Sequence, residues 1–133
     1  RTIKMTQSHT LKTNRVFIIL FLMLSVGFTS CAPTKVERGE ASYYHNKFRG
    51  KKTASGQKFR QYKRTAAHKT LPLGTKVKVT NLQNGKTVRV TINDRGPFIE
   101  GRIIDLTRKA ARRIDMLQDG VVPVKIEYKV KKK

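Results

Sequence analysis

Three stretches of the chain alternate apolar and polar residues with a period of two: 75-TKVKVTN-81, 87-TVRVTIND-94 and 121-VVPVKIEYKV-130. That period sends successive side chains to opposite faces of an extended backbone, so each stretch reads as a strand with one face buried. Asn84-Gly85 lies between the first two, and both residues tolerate positive φ, which marks a hairpin turn. One helix is expected at 107-TRKAARRIDML-117, with Thr107 as N-cap and Ala110, Ile114 and Leu117 along its inner side. Short strands with one small helix in about 90 residues describe a small β-barrel. At 133 residues there is room for one such domain, and no internal repeat competes with it.

The N-terminus has a different character. Arg1, Lys4, Lys12 and Arg15 form a basic segment without acids, and Val16 to Phe28 follow as an apolar run without a charge. The run is short for a bilayer span and positive on one side, the pattern of a secretory signal. It has no polar face, which argues against a buried core helix. The chain's one cysteine, Cys31, comes directly after it in 28-FTSC-31, where an exported protein with a leftover thiol calls for an explanation. The segment resembles a bacterial lipobox, with Phe28 in place of the usual Leu. That resemblance implies cleavage before Cys31 and its lipidation, with acyl chains holding the protein to a membrane. Ala32 stands where an inner-membrane retention signal would place Asp, which points to the periplasmic side of a Gram-negative outer membrane. The expected layout is a signal peptide over 1–30, a lipidated tether over 31–38, a barrel over 39–130 and a basic tail over 131–133.

The chain holds 30 basic and 8 acidic residues, and removal of 1–30 leaves a net charge of +18. Such a field seeks polyanions. Nucleic acid is the first partner a basic barrel brings to mind, but an exported chain meets cell wall and anionic lipid instead, and no nucleic-acid partner is expected. Against this background the carboxylates of 91-TINDRGPFIEGRIIDLT-107 stand out. Strand parity puts Val88, Val90, Ile92 and Asp94 on one face and Arg95 on the other, unless a bulge intervenes. Asp94 then ends a core-facing row, partly desolvated and able to hold a proton as a general acid must. The competing reading is an aspartate that caps the turn at Gly96-Pro97. Asp105, directly before the helix, reads as structural support that binds helix N–H groups or an arginine. Glu100 reads as plain surface, and His68 alone would be a residue that caps a turn or packs quietly.

The order 39-GEASYY-44, 53-TASGQKF-59, 65-TAAHKTLPLGT-75, 79-VTNLQNGKTVRVTINDRGPF-98 and 102-RIIDLTRKAA-111 resembles the rare lipoprotein A family over nearly all of the chain beyond Cys31. The resemblance implies a mainly β fold, a six-stranded double-psi β-barrel with one or two short helices, related to the first domain of plant expansins and to the barrel of some lytic transglycosylases. It also implies peptidoglycan glycan strands as partner, which suits a cationic chain because stem peptides carry carboxylates. Active members cleave the bond between N-acetylmuramic acid and N-acetylglucosamine without water, leaving a 1,6-anhydro ring. Carried over residue by residue, Asp94 and His68 match the catalytic positions, and Gln57, Tyr43, Tyr44 and Arg95 are the expected substrate contacts. No cofactor or metal enters this chemistry, and a monomer is expected.

One position departs from the family pattern. Thr-Ala-Ser/Asn-Gly-Glu is the usual run, and this chain reads 53-TASGQ-57. Glutamine keeps the shape and the hydrogen bonds but cannot exchange a proton. A positioned acid or base is typically worth 10²–10⁴-fold in rate. Two readings therefore stand side by side: a lytic transglycosylase weakened at Gln57, and a protein that binds or loosens the wall without turnover.

Overall fold

The computed structural model describes Gly27 and residues 31–131; the expected signal segment, Gly27 apart, and Lys132 and Lys133 of the basic tail lie outside the described residues. Six strands, β1 (Thr34–Tyr43), β2 (Thr65–Ala67), β3 (Lys76–Asn81), β4 (Thr87–Asp94), β5 (Arg102–Leu106) and β6 (Val122–Lys129), close into a barrel in the order β1-β5-β2-β4-β3-β6. The pairs β1/β5 and β2/β4 run parallel and the other four antiparallel. This is the mainly β, six-stranded double-psi architecture that the resemblance implied. One α-helix, α1 (Arg108–Arg113), and a single 3₁₀ turn (Asn46–Phe48) complete it.

The alternating stretches form the regular side of the wall. Val77, Val79, Val88, Val90, Val124 and Ile126 point inward, each at most 4% exposed. The β3/β4 and β3/β6 ladders run without a register shift. Ala110, Ala111, Ile114 and Met116, all fully buried, join this core from α1 and the turn after it. The expected N-cap is in place, with Thr107 Oγ1 accepting from Ala110 N–H at 3.4 Å. The helix is shorter than expected because Asp115 takes a left-handed φ of 54° directly after the C-cap Ile114, a conformation that ends helical pairing and that Asp tolerates better than most residues. Leu117 consequently reaches the core from a turn and is only partly buried.

The hairpin turn expected at Asn84-Gly85 is in place between antiparallel β3 and β4, over residues 82–86. Gly85 alone takes the left-handed φ, at 74°, while the Asn84 side chain donates to Ile114 O and accepts from Lys86 N–H. Thr34–Arg38, expected as tether, is paired strand: β1 runs beside β6 from Thr34↔Lys129 to Ala41↔Val122. Its exposed first half, buried on neither face, carries no alternation to betray it. At Gly39 the strand crosses the 101–103 segment so closely that an added Cβ would stand 2.6 Å from Ile103 Cγ2, and only glycine fits.

Candidate active site

Strand parity fails at the end of β4. Ala66 pairs with Ile92, but the next residue, Ala67, pairs with Asp94, so Asn93 is an extra residue and both Ile92 and Asn93 are buried. Such a bulge re-aims the side chains beyond it. Asp94 therefore does not end the core-facing row. It is half-buried and turned onto a polar, aromatic nook built by the 44–59 segment.

Three donors converge on its carboxylate. Oδ1 accepts from Ala54 N–H and from Arg95 N–H, both at 2.9 Å, and Oδ2 accepts from the Tyr44 hydroxyl at 2.7 Å. A carboxylate offers about four lone-pair sites. With three taken, one remains on Oδ2 for an incoming proton. Burial first, then the hydrogen bond to Asp94 and the charges of Asp94 and Asp105, pushes the Tyr44 phenol far above its ordinary value, so Tyr44 keeps its proton and stays a donor. Its ring is fixed against Phe59 at 4.4 Å between centroids and against the edge of Phe48 at 5.8 Å.

The 53–57 turn is tied to the same strand end. Ser55 N–H donates to Asn93 O at 3.1 Å beside the Ala54 bond to Asp94, and Thr53 N–H closes the turn on Gln57 O at 2.8 Å. Gln57 is exposed on that turn. The motif carrying Gln57, the strand end carrying Asp94 and Tyr44 thus meet.

The remaining expected residues separate into supporting parts. Tyr43 is not in this nook, because neighbours on a strand face opposite ways: it packs on the core and donates to Leu117 O at 3.0 Å. His68 is 4% exposed, and both its ring nitrogens serve the fold. Nδ1 accepts from Thr70 and Leu71 N–H at 3.2 Å, which assigns the proton to Nε2, facing Glu37 at 3.3 Å. Burial lowers its affinity for a second proton, against the pull of Glu37. The sequence expected His68 beside the catalytic carboxylate, and its backbone N–H does donate to Asp94 O at 3.1 Å. Arg95 turns back on the same loop, its Nη1 donating to His68 O at 3.2 Å and Leu71 O at 2.7 Å. Asp105 takes the arginine alternative: it accepts from Ser42 and from Arg102, joining β5 to β1.

Glu37 and Phe98 were given no role by the sequence. Glu37 lay in the presumed tether, although an acid there was conspicuous in so basic a chain. Phe98 follows Gly96-Pro97 and is 82% exposed, next to the Asp94 strand end.

A closed double-psi barrel with a donor-bound aspartate at a bulged strand end defines the class. Residues 36–126 match the family described as lytic transglycolase, and the chain belongs to it, as an RlpA-like member. The endolytic peptidoglycan transglycosylase RlpA of Pasteurella multocida is 60% identical over 89 residues, 67% of this chain and 30% of that protein. That of Campylobacter jejuni is 52% identical over 100 residues, 71% and 36%. The chain thus spans about a third of the length of these relatives. Among solved structures, the Clavibacter michiganensis expansin is similar at TM-score 0.57 as the apo protein and 0.58 as a mutant in complex with cellohexaose. Both match at 19% identity over 74% of this chain and 52% of that one, a likeness of fold.

Proposed function

We propose that this protein is a peptidoglycan lytic transglycosylase that cleaves the MurNAc–GlcNAc bond and leaves 1,6-anhydro-muramyl ends. The observation that carries the reading is Asp94, gripped by three donors with one lone pair of Oδ2 open. The reaction needs a proton delivered to the leaving oxygen and another withdrawn from the muramyl 6-hydroxyl as it attacks the anomeric carbon. Asp94 Oδ2 performs both in turn: it gives its proton to the leaving group, then takes one from the hydroxyl. The Tyr44 hydroxyl and two backbone N–H groups hold the carboxylate still between the two steps. Exposed Phe98 offers an apolar face to a sugar ring beside it. The relatives' names and the cellohexaose complex of an expansin support a glycan as the ligand.

A second reading, a wall-binding protein without turnover, is favoured by Gln57, an amide where active relatives of the pattern carry a carboxylate. Mass analysis of purified peptidoglycan after incubation separates the two. Wild type should release anhydro-muropeptides, Asp94→Asn should release none while still sedimenting with the wall, and Gln57→Glu should raise the rate by roughly tenfold, about 1.4 kcal/mol of barrier. Silence of wild type and Gln57→Glu alike, on intact and stripped glycan, selects the second reading.

Either way the protein works as an outer-membrane lipoprotein anchored through Cys31 and facing the periplasm, as a monomer. Cys31→Ala should shift it out of the membrane fraction, and equal lipid labelling of both forms would defeat the anchor.

A further inference from the structure

Glu37 stands on the exposed first half of β1, between Lys35 and Arg38 in sequence and opposite Ile126 of β6 in register. Its carboxylate nevertheless reaches to the segment after β2. Oε2 lies 3.3 Å from Nε2 of His68, a residue 31 positions further along the chain and only 4% exposed. In a chain of 30 basic and 8 acidic residues, an acid set on a neutral imidazole calls for a reason.

That reason lies on the other side of the ring. Nδ1 accepts from Thr70 N–H and Leu71 N–H, both at 3.2 Å, which it can do only while the ring proton is on Nε2. The partner of one ring nitrogen sets the state of the other, so an acceptor at Nε2 keeps Nδ1 bare. The two bonds curl residues 68–71 into a turn that presents His68 O and Leu71 O to one nitrogen, Arg95 Nη1, at 3.2 and 2.7 Å. Arg95 N–H in turn donates to Asp94 Oδ1 at 2.9 Å, and His68 N–H holds Asp94 O at 3.1 Å. Residue 94 is thus gripped through its own carbonyl and through the residue that follows it. Both grips begin in the loop that the His68 ring organises.

We propose that Glu37 is a positioning residue for Asp94: by accepting from His68 Nε2–H it fixes the tautomer that builds the 68–71 turn, and that turn anchors Arg95 and the Asp94 main chain. The proposal rests on the reading of Asp94 as the catalytic carboxylate. Asp94 stands at a bulge, where the ladder with β2 has slipped, so strand register alone does not aim it. Aim matters, because a displacement of about 1 Å far from the chemistry can cost roughly 100-fold in rate. What the arrangement asks of Glu37 is an acceptor, which an amide oxygen also supplies.

The test compares, in the full chain, Glu37→Leu, which removes the acceptor, with Glu37→Gln, which keeps one. On purified peptidoglycan Glu37→Leu should lower kcat for anhydro-muropeptide release by roughly 10–100-fold with KM within about twofold of wild type, and Glu37→Gln should recover most of the loss. Rates are taken per folded molecule, so a change in stability alone does not enter. A merely structural Glu37 would unfold the Leu variant at lower denaturant and leave kcat unchanged, and that result overturns the proposal. So does a Gln variant as slow as the Leu variant. Should Glu37→Leu fold poorly, Glu37→Ala gives the same comparison. A second readout needs no turnover: by heteronuclear NMR the wild-type His68 ring should carry its proton on Nε2, and hydrogen exchange at the Leu71 and Arg95 amides should quicken roughly tenfold in Glu37→Leu but not in Glu37→Gln. If wild type releases no product while exchange responds in this way, the enzymatic reading of Asp94 falls and the positioning by Glu37 stands. Exchange indifferent to Glu37 overturns the positioning whether or not wild type turns over.

Discussion

The two sides of the barrel are built differently. β3, β4 and β6 meet in antiparallel ladders of unbroken register, while the parallel pairs β1/β5 and β2/β4 each slip by a residue, at Glu40/Ala41 and at Ala66/Ala67. The regular side supplies most of the large buried side chains. The slipped side supplies the nook: a bulge turns Asp94 outward, and strand ends release Tyr44 and the His68 loop beside it. Unbroken alternation gives stability, and its interruption gives a place for chemistry.

Three changes would break or sharpen that contrast. Ile126→Ala, on the regular side, should cost about 2–5 kcal/mol in denaturant unfolding through the cavity it leaves, and should leave the Asp94-dependent rate per folded molecule unchanged. A matching loss of that rate would mean the two sides are not separable. Gly39→Ala, at the slip between β1 and β5, should cost about 1–3 kcal/mol, because its Cβ would meet Ile103 and the backbone of Gly101. A melting point equal to wild type would show that the crossing is looser than it looks. The smallest effect concerns His68. Burial, ahead of the charges of Arg95 and Lys69, lowers its proton affinity below the ordinary 6.5, and Glu37 only partly opposes this. The unfolded chain therefore binds a proton that the folded chain refuses. This contribution to stability is whole above about pH 6.5 and falls as pH drops through it. Melting between pH 7.5 and 5.5 should show the fall, and His68→Asn should flatten it; an unchanged slope in the variant would assign the fall to another group.

The same contrast governs what could be read from sequence. β3, β4 and β6 announced themselves because one face is buried and the other wet. β2, three residues long, is too short to show a period, and the first half of β1 is buried on neither face, so neither was visible as a strand. The Asp94 and Gln57 motifs were recognisable and do meet in space. Their setting was not: the bulge at Asn93 is a property of pairing with β2, and the Ala54 N–H is backbone, which no residue type reveals. Tyr43 and Tyr44 could have been told apart only by knowing that β1 ends between them, with Tyr43 packed on the core.

Antiparallel closure of β1 on β6 sets Thr34 opposite Lys129, so the first and last strands of the barrel begin and finish side by side. A fold whose ends are neighbours is a portable cassette. A host polypeptide enters and leaves through one doorway and need not span the far side. By the same token, a short loop joining Lys129 to Thr34 would let new ends be opened in the exposed Leu82–Lys86 turn, giving a circular permutant whose wall, bulge and aspartate all keep their places.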